Sequence, residues 1–200
     1  MPPPPHRELR KLVRKLGVAA RPTEQKNAVA TLAVLCRDPD NKAAIAAAGA
    51  IPDLVVLLGP VFLGDVQRHA ARALMDLSFN NDENKIAILA GGAVPPLVRL
   101  WGPKTSSDMH FNAAGVLMNL AAIADNKIEI AAAGAIPPLV QLLRPGASAE
   151  VHQKAAEALA GLAVNAKNKI VIAGAGAIPL LVQLLGSSSS ARVSRMQQRC

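Results

Sequence analysis

His110 and His152 are the residues whose chemistry stands out first. Each follows an acid by two positions, Asp108 and Glu150, and the two histidines lie 42 residues apart. Imidazole with carboxylate suits a metal bridge between two segments, but tetrahedral zinc needs more and closer ligands than this set offers. The plainer reading is a pair of solvated polar positions, and no metal site is expected. Gly91-Gly92 and Gly174-Ala175-Gly176 end helical segments and do not follow strands, so they are not phosphate cradles. Nothing places a nucleophile, a base and a stabiliser together. The chain is expected to be no enzyme, with no cofactor and no small-molecule substrate.

The interval between the histidines governs the whole sequence. Asn41-Lys42, Asn84-Lys85, Asn126-Lys127 and Asn168-Lys169 recur at steps of 43, 42 and 42 residues, and eight residues after each Asn stands Gly49, Gly92, Gly134 or Gly176. Ile51-Pro52, Val94-Pro95, Ile136-Pro137 and Ile178-Pro179 follow in register, and then Leu54-Val55, Leu97-Val98, Leu139-Val140 and Leu181-Val182. Pairs at helical spacing close each unit: Leu32/Leu35, Leu74/Leu77, Leu117/Leu120 and Leu159/Leu162. A period of this length marks a stacked array of supersecondary units.

Each unit divides into three helices. The first runs from Asn126 to Ala133 in the clearest copy, with Ile128 and Ala132 on one face, and ends at a glycine free to adopt a left-handed conformation. Pro137 then sits in a first helical turn, where its missing N–H costs nothing, and Leu139, Val140, Leu142 and Leu143 make the apolar stripe of the second helix. After Pro145-Gly146 a third helix, Glu150 to Val164, turns Val151, Ala155, Ala158, Leu159 and Leu162 inward. One unit cannot bury these faces alone, so the expected fold is all-α, a right-handed solenoid of three-helix repeats. Alanines such as Ala46 to Ala48 and Ala131 to Ala133 are expected to allow close approach at the repeat boundaries. The expected divisions are a Pro-rich start at 1–6, a partial repeat at 7–40, repeats at 41–83, 84–125 and 126–167, and a partial repeat with a basic tail at 168–200.

The phrase N-K-x-x-I-x-x-x-G-A-I-P-x-L-V-x-L-L, read at Asn41 to Leu58 and Asn126 to Leu143, resembles the armadillo repeat, closest in wording to plant U-box ubiquitin ligases and vacuole-associated armadillo proteins. The resemblance implies an armadillo-type superhelix whose third helices line a concave groove for partner proteins. Carried over residue by residue, it places Lys26, Asn27 and Ala30 on that face, then Arg68, His69, Arg72 and Asp76, then Phe111, Asn112, Gly115 and Asn119, and last Gln153, Lys154, Glu157 and Gly161. Importin-α-like members clamp a peptide with a Trp and an Asn on each third helix. Here the Trp places hold Ala30, Arg72, Gly115 and Glu157, and of the Asn places Val34, Asp76, Asn119 and Gly161 only one matches. Trp101 occupies the place of Leu58, Leu143 and Leu185 and is expected in the core.

The net charge of +8 is confined to the ends. Residues 1–26 carry seven Lys/Arg against two acids, residues 191–200 carry three against none, and residues 27–190 hold twelve of each sign. Arg7 to Gly17 has the look of a basic amphipathic segment for a membrane surface, yet Leu12-Val13 and Leu16 fall 42 residues before Leu54-Val55 and Leu58, which makes it the second helix of a leading partial repeat. Glu24 to Cys36 is then its third. At the other end Val193 aligns with Val151, while Arg195, Gln197, Gln198 and Arg199 break the apolar pattern. Proteins with extended or acidic segments are the expected partners, and neither nucleic acid nor membrane is expected. The alternatives are a substrate-recruiting region related to a U-box ligase, and weak salt-sensitive binding of nucleic acid or membrane through the termini. Cys36 and Cys200 make no disulfide framework, and the start at Met1 to His6 has no apolar signal region. The cytoplasm is the expected location, with the nucleus as the alternative.

Overall fold

A computed structural model of the chain describes residues 6–17, 19–102 and 105–186. The Pro-rich start up to Pro5, Pro103-Lys104, residues 187–190, and Val193, Arg195, Gln197, Gln198, Arg199 and Cys200 lie outside the described residues. Among those described there is no strand, only an isolated bridge between Pro145 and Ala147. A leading pair of helices, α1 (His6–Arg14) and α2 (Pro22–Leu35), precedes three full trios. These are α3 (Pro39–Ala47), α4 (Ala50–Val56) and α5 (Gly64–Ser78), then α6 (Asp82–Ala90), α7 (Val94–Arg99) and α8 (Ser107–Leu120), then α9 (Asn126–Ala132), α10 (Ile136–Gln141) and α11 (Ala149–Leu162). The helices α12 (Ala166–Gly174) and α13 (Ala177–Gly186) follow. The three-helix solenoid expected from the repeat is therefore the observed architecture.

Local chemistry sets the boundaries. Gly49, Gly92, Gly134 and Gly176, between first and second helices, have φ of 86°, 74°, 80° and 82°, the left-handed turn that the spacing requires. Side chains of Asp38, Asn81 and Asn165 cap α3, α6 and α12, and Ser106 and Ser148 cap α8 and α11, each accepting from backbone N–H groups that would otherwise lack a partner. Leu9, Val13 and Leu16 are buried while Arg7, Arg10, Lys11, Arg14 and Lys15 face outward, so the amphipathic start is a packed helix of the array. One continuous apolar core runs from Leu9 to Ala177. No single helix among the described residues is long and apolar enough to cross a membrane; only α12 and α13 together, bent by 77° at their junction, have that length and composition.

The recurrent Asn-Lys pairs turn out to be corner pieces. Asn41, Asn84, Asn126 and Asn168 are buried, and their Nδ2 atoms donate to the carbonyls of Leu35, Leu77, Leu120 and Leu162 at 3.0–3.2 Å. Each amide thus joins the head of a first helix to the end of the third helix before it. Lys42 extends the tie forward, donating to the Phe79 carbonyl at 2.8 Å with its ammonium 5.2 Å from the Phe79 ring centroid.

Three packing expectations need correction. Ile128 and Ala132 share a face, but it is the exposed one; Asn126, Lys127 and Ile130 point inward because the Asn amide fixes the rotation of the short helix. Of the boundary alanines, Ala46, Ala48, Ala131 and Ala133 pack half-buried against the core, but Ala47 and Ala132 are exposed, and the most extensive helix contacts lie between third helices. A Cβ on Gly161 would sit 3.2 Å from that of Ala121, and one on Gly115 would collide with Met75 Sδ. Trp101, expected in the core, is only half-buried against it, with Nε1 shut away from solvent and unpartnered.

Candidate functional site

The third helices α2, α5, α8 and α11 stack side by side with the most extensive helix contacts in the molecule. Across them runs a groove of about 550 Å³, lined by Ala30, Ala33 and Val34 of α2 with Arg37 just beyond its end, Arg68, His69 and Arg72 of α5, Phe111 and Asn112 of α8, and the N-terminal edges of α8 and α11. At those edges stand Ser107, Asp108, Ser148 and Glu150.

The residues carried over from the resemblance separate into three groups. Arg68, His69, Arg72, Phe111 and Asn112 reach the groove together. Lys26 and Asn27 are exposed beside it, and Lys26 Nζ is 2.7 Å from Asp65 Oδ2. Gln153, Lys154 and Glu157 form a separate cluster on α11, with Gln153 Nε2 2.8 Å from Glu157 Oε1, Lys154 Nζ 3.0 Å from Glu157 Oε2, and the same ammonium 5.9 Å from the Phe111 ring centroid. The Gln153 hydrogen bond, ahead of the Lys154 charge, holds the Glu157 carboxyl below its ordinary range.

Three expected surface positions are buried. Asn119 donates to the Met75 carbonyl at 3.0 Å and to Ser78 Oγ at 2.9 Å, so the one Asn that matched a peptide clamp instead ties α8 to α5. Asn112 is buried and its Nδ2 lies 3.5 Å from the Arg68 carbonyl. Gly115 is covered by Met75, which occupies the space a Trp would need. The cause is common to all three: adjacent third helices pack so closely that their facing flanks are interior.

The arginines differ in their freedom. Arg72 Nε is 2.7 Å from Asp76 Oδ2, a carboxylate 14% exposed, which holds the guanidinium through that one nitrogen while Arg72 lines the groove. Arg68 Nη2 is 3.8 Å from Asp65 Oδ1, a looser pair. The Arg37 side chain has no partner among the described residues. His69 is pushed below the ordinary histidine range by burial and then by Arg68, with Lys26 adding and Asp65 opposing, so it is neutral at pH 7. Glu150 is held below its ordinary range by hydrogen bonds from its own N–H and from Ser148, and stays ionised.

His110 and His152 do not come together as a metal bridge. His152 Nε2 lies 3.1 Å from the Arg144 carbonyl, where it closes the corner between the second and third helices of its own unit. Gln25 and Gln67 do the same work earlier in the chain, donating to Leu16 and Gly17 and to Leu58 and Gly59. The His110 ring sits at the matching corner, its proton affinity lowered by burial and partly restored by the Gly102 backbone. Among the described residues no three His, Cys, Asp or Glu side chains gather to hold a metal ion. Arg37, Asp108 and Glu150 are groove residues that the family carry-over missed; the acids were visible in sequence only as neighbours of the histidines.

The profile of the Armadillo/beta-catenin-like repeat matches residues 81–122, 124–164 and 165–196. No curated protein matches the chain. Among solved structures, an engineered protein is 35% identical with a TM-score of 0.82, over 92% of this chain and 74% of that one. Computationally designed armadillo repeat proteins for modular peptide recognition are 30% identical with a TM-score of 0.80, over 88% of this chain and 74% of theirs. A designed armadillo repeat protein solved in complex with the peptide (KR)4 is 31% identical with a TM-score of 0.78, over 88% and 73%.

Proposed function

This chain belongs to the armadillo/beta-catenin-like repeat family, and from that premise we propose that it is a scaffold or adaptor that binds partner proteins along the strip formed by its third helices. The observation that carries the reading is the groove itself, where Arg37, Arg68 and Arg72 meet on three-helix units held rigidly by buried amides. Guanidinium groups held at one edge are suited to carboxylates of an extended segment. A designed relative holds the basic peptide (KR)4; the arginine-rich end of this groove would repel such a repeat, so a different charge is expected of the partner. A fold of this kind is typically a non-enzymatic scaffold, and the reading is of a binding protein of the cytoplasm, with the nucleus as alternative, which imaging of a fluorescent fusion would test.

The deciding experiment is affinity capture with the wild-type chain and with the double variant Arg68→Glu, Arg72→Glu. Both side chains are about one-third exposed, and losing their pairs with Asp65 and Asp76 should lower the melting temperature without unfolding the helices, so the variant should keep its helical circular dichroism while losing a genuine partner about tenfold or more. Unchanged binding would move the site elsewhere. A second reading, a substrate-recruiting region related to U-box ligases, rests on the N-K-x-x-I-x-x-x-G-A-I-P phrase at Asn41 and Asn126. It requires captured partners to become ubiquitinated in cells that express the chain; partners that remain unmodified would remove it.

A further inference from the structure

The groove is electrically two-sided. At its α2–α5 end stand Arg37, Arg68 and Arg72, with neutral His69 among them, and at its α8–α11 end stand Asp108 and Glu150, with half-buried Phe111 between the two groups. Asp108 has no side-chain partner among the described residues, and Glu150 is stabilised as an anion by local donors. The charges of the two ends therefore do not neutralise one another within the protein. Arg68 and Arg72 keep their neighbours Asp65 and Asp76 on their own helix, but nothing pairs across the groove, and the contrast between its ends is open to a third party.

From this arrangement we propose that the occupant of the groove is an extended protein segment of mixed charge, presenting an acidic side chain to Arg68 and Arg72, an apolar side chain to Phe111 and a basic side chain to Glu150. The inference rests on the docking strip proposed above and names its partner more narrowly. Packed helices lie roughly 8–10 Å apart, so α5 and α11, two steps along the stack, are separated by about 20 Å. An extended chain advances about 3.3 Å per residue. The acidic and basic residues of the segment accordingly stand about six positions apart, with the apolar one near the middle. A wholly acidic segment meets Asp108 and Glu150 with like charge, and a wholly basic one meets the arginines in the same way; such juxtapositions reject wrong partners.

Fluorescence anisotropy with labelled ten-residue peptides tests the proposal. The set has Glu and Lys six positions apart around a central Leu, in both orders because charge alone does not fix chain direction, with all-acidic and all-basic peptides of the same spacing. At low salt one of the mixed peptides should bind about tenfold more tightly than either uniform peptide. The double variant Asp108→Lys, Glu150→Lys should transfer the preference to the all-acidic peptide, and Arg68→Glu with Arg72→Glu should transfer it to the all-basic one. If wild type takes the all-acidic peptide as tightly as the mixed one, or if Asp108→Lys with Glu150→Lys leaves the ranking unchanged, the mixed-charge inference is overturned while the docking strip stands. If no peptide binds, the inference is likewise overturned, and the docking strip is judged separately by whether captured partners survive reversal of Arg68 and Arg72.

Discussion

Leu143 and Leu185 are the same residue at the same place in successive repeats, 42 positions apart, yet Leu143 is 1% exposed and Leu185 is 70% exposed. Ile136 and Ile178 repeat the contrast at 1% and 58%. The side chains do not differ; their neighbours do. Around α10 a complete third helix, α11, closes the unit, whereas α12 and α13 close the described array with an apolar groove lined by Ala156, Leu159, Ile172, Leu181 and Leu184. At the opposite end of the described array α1 turns Arg7, Arg10, Lys11 and Arg14 outward and buries Leu9 and Val13. In a linear array each unit is buried by the next, so burial at a given register is a property of position along the rod as much as of residue type.

The sharpest way to break this comparison is to cut the same side chain at both places. Leu139→Ala removes a fully buried residue and should cost about 2–5 kcal/mol in urea unfolding followed by circular dichroism. Leu181→Ala, at the matching half-buried place, should cost less than about half as much. Equal losses would show that the last unit is as well packed as the interior. A smaller effect sharpens the account of the corners: Asn126→Ala removes one of two donors to the buried Leu120 carbonyl, leaving the Ile123 N–H at 3.3 Å, and should cost about 0.5–1.5 kcal/mol in the same assay. A loss indistinguishable from that of an exposed Asn27→Ala control would remove the amide from the list of stabilising ties.

The smallest effect is in pH. Burial lowers the proton affinity of His69 and of His110 below the ordinary 6.5, so below that value the unfolded chain binds more protons than the folded one. Stability is therefore full above about pH 6.5 and is lost as pH falls toward the depressed folded values. Melting temperatures between pH 7.5 and 5 should decline, and His110→Gln should flatten the decline; an identical slope in the variant would assign the drift to other groups.

Much of the fold was legible because its signals repeat. The glycine after every first helix, the second-helix stripe at Leu139, Val140, Leu142 and Leu143, and the third-helix stripe from Val151 to Leu162 are local patterns, and all hold in the structure. What was not legible depends on neighbours. A seven-residue helix such as α9 completes too few turns for its period to declare an inner face, so Ile128 and Ile130 look equivalent until the Asn126 amide is seen to choose between them. Asn112 and Asn119 read as surface residues because their acceptors, Arg68, Met75 and Ser78, lie 41–44 positions away. Asp108 and Glu150 look like metal ligands beside histidines in one dimension and face a groove in three.

The buried amides of Asn41, Asn84, Asn126 and Asn168 sit at the bends between units, away from the Arg68 and Arg72 strip. The angle of each bend is thus written in one set of letters and the chemistry of the strip in another. Side chains along the strip can be exchanged without moving the ruler on which they are spaced, which makes the array a frame able to present new wording at fixed intervals.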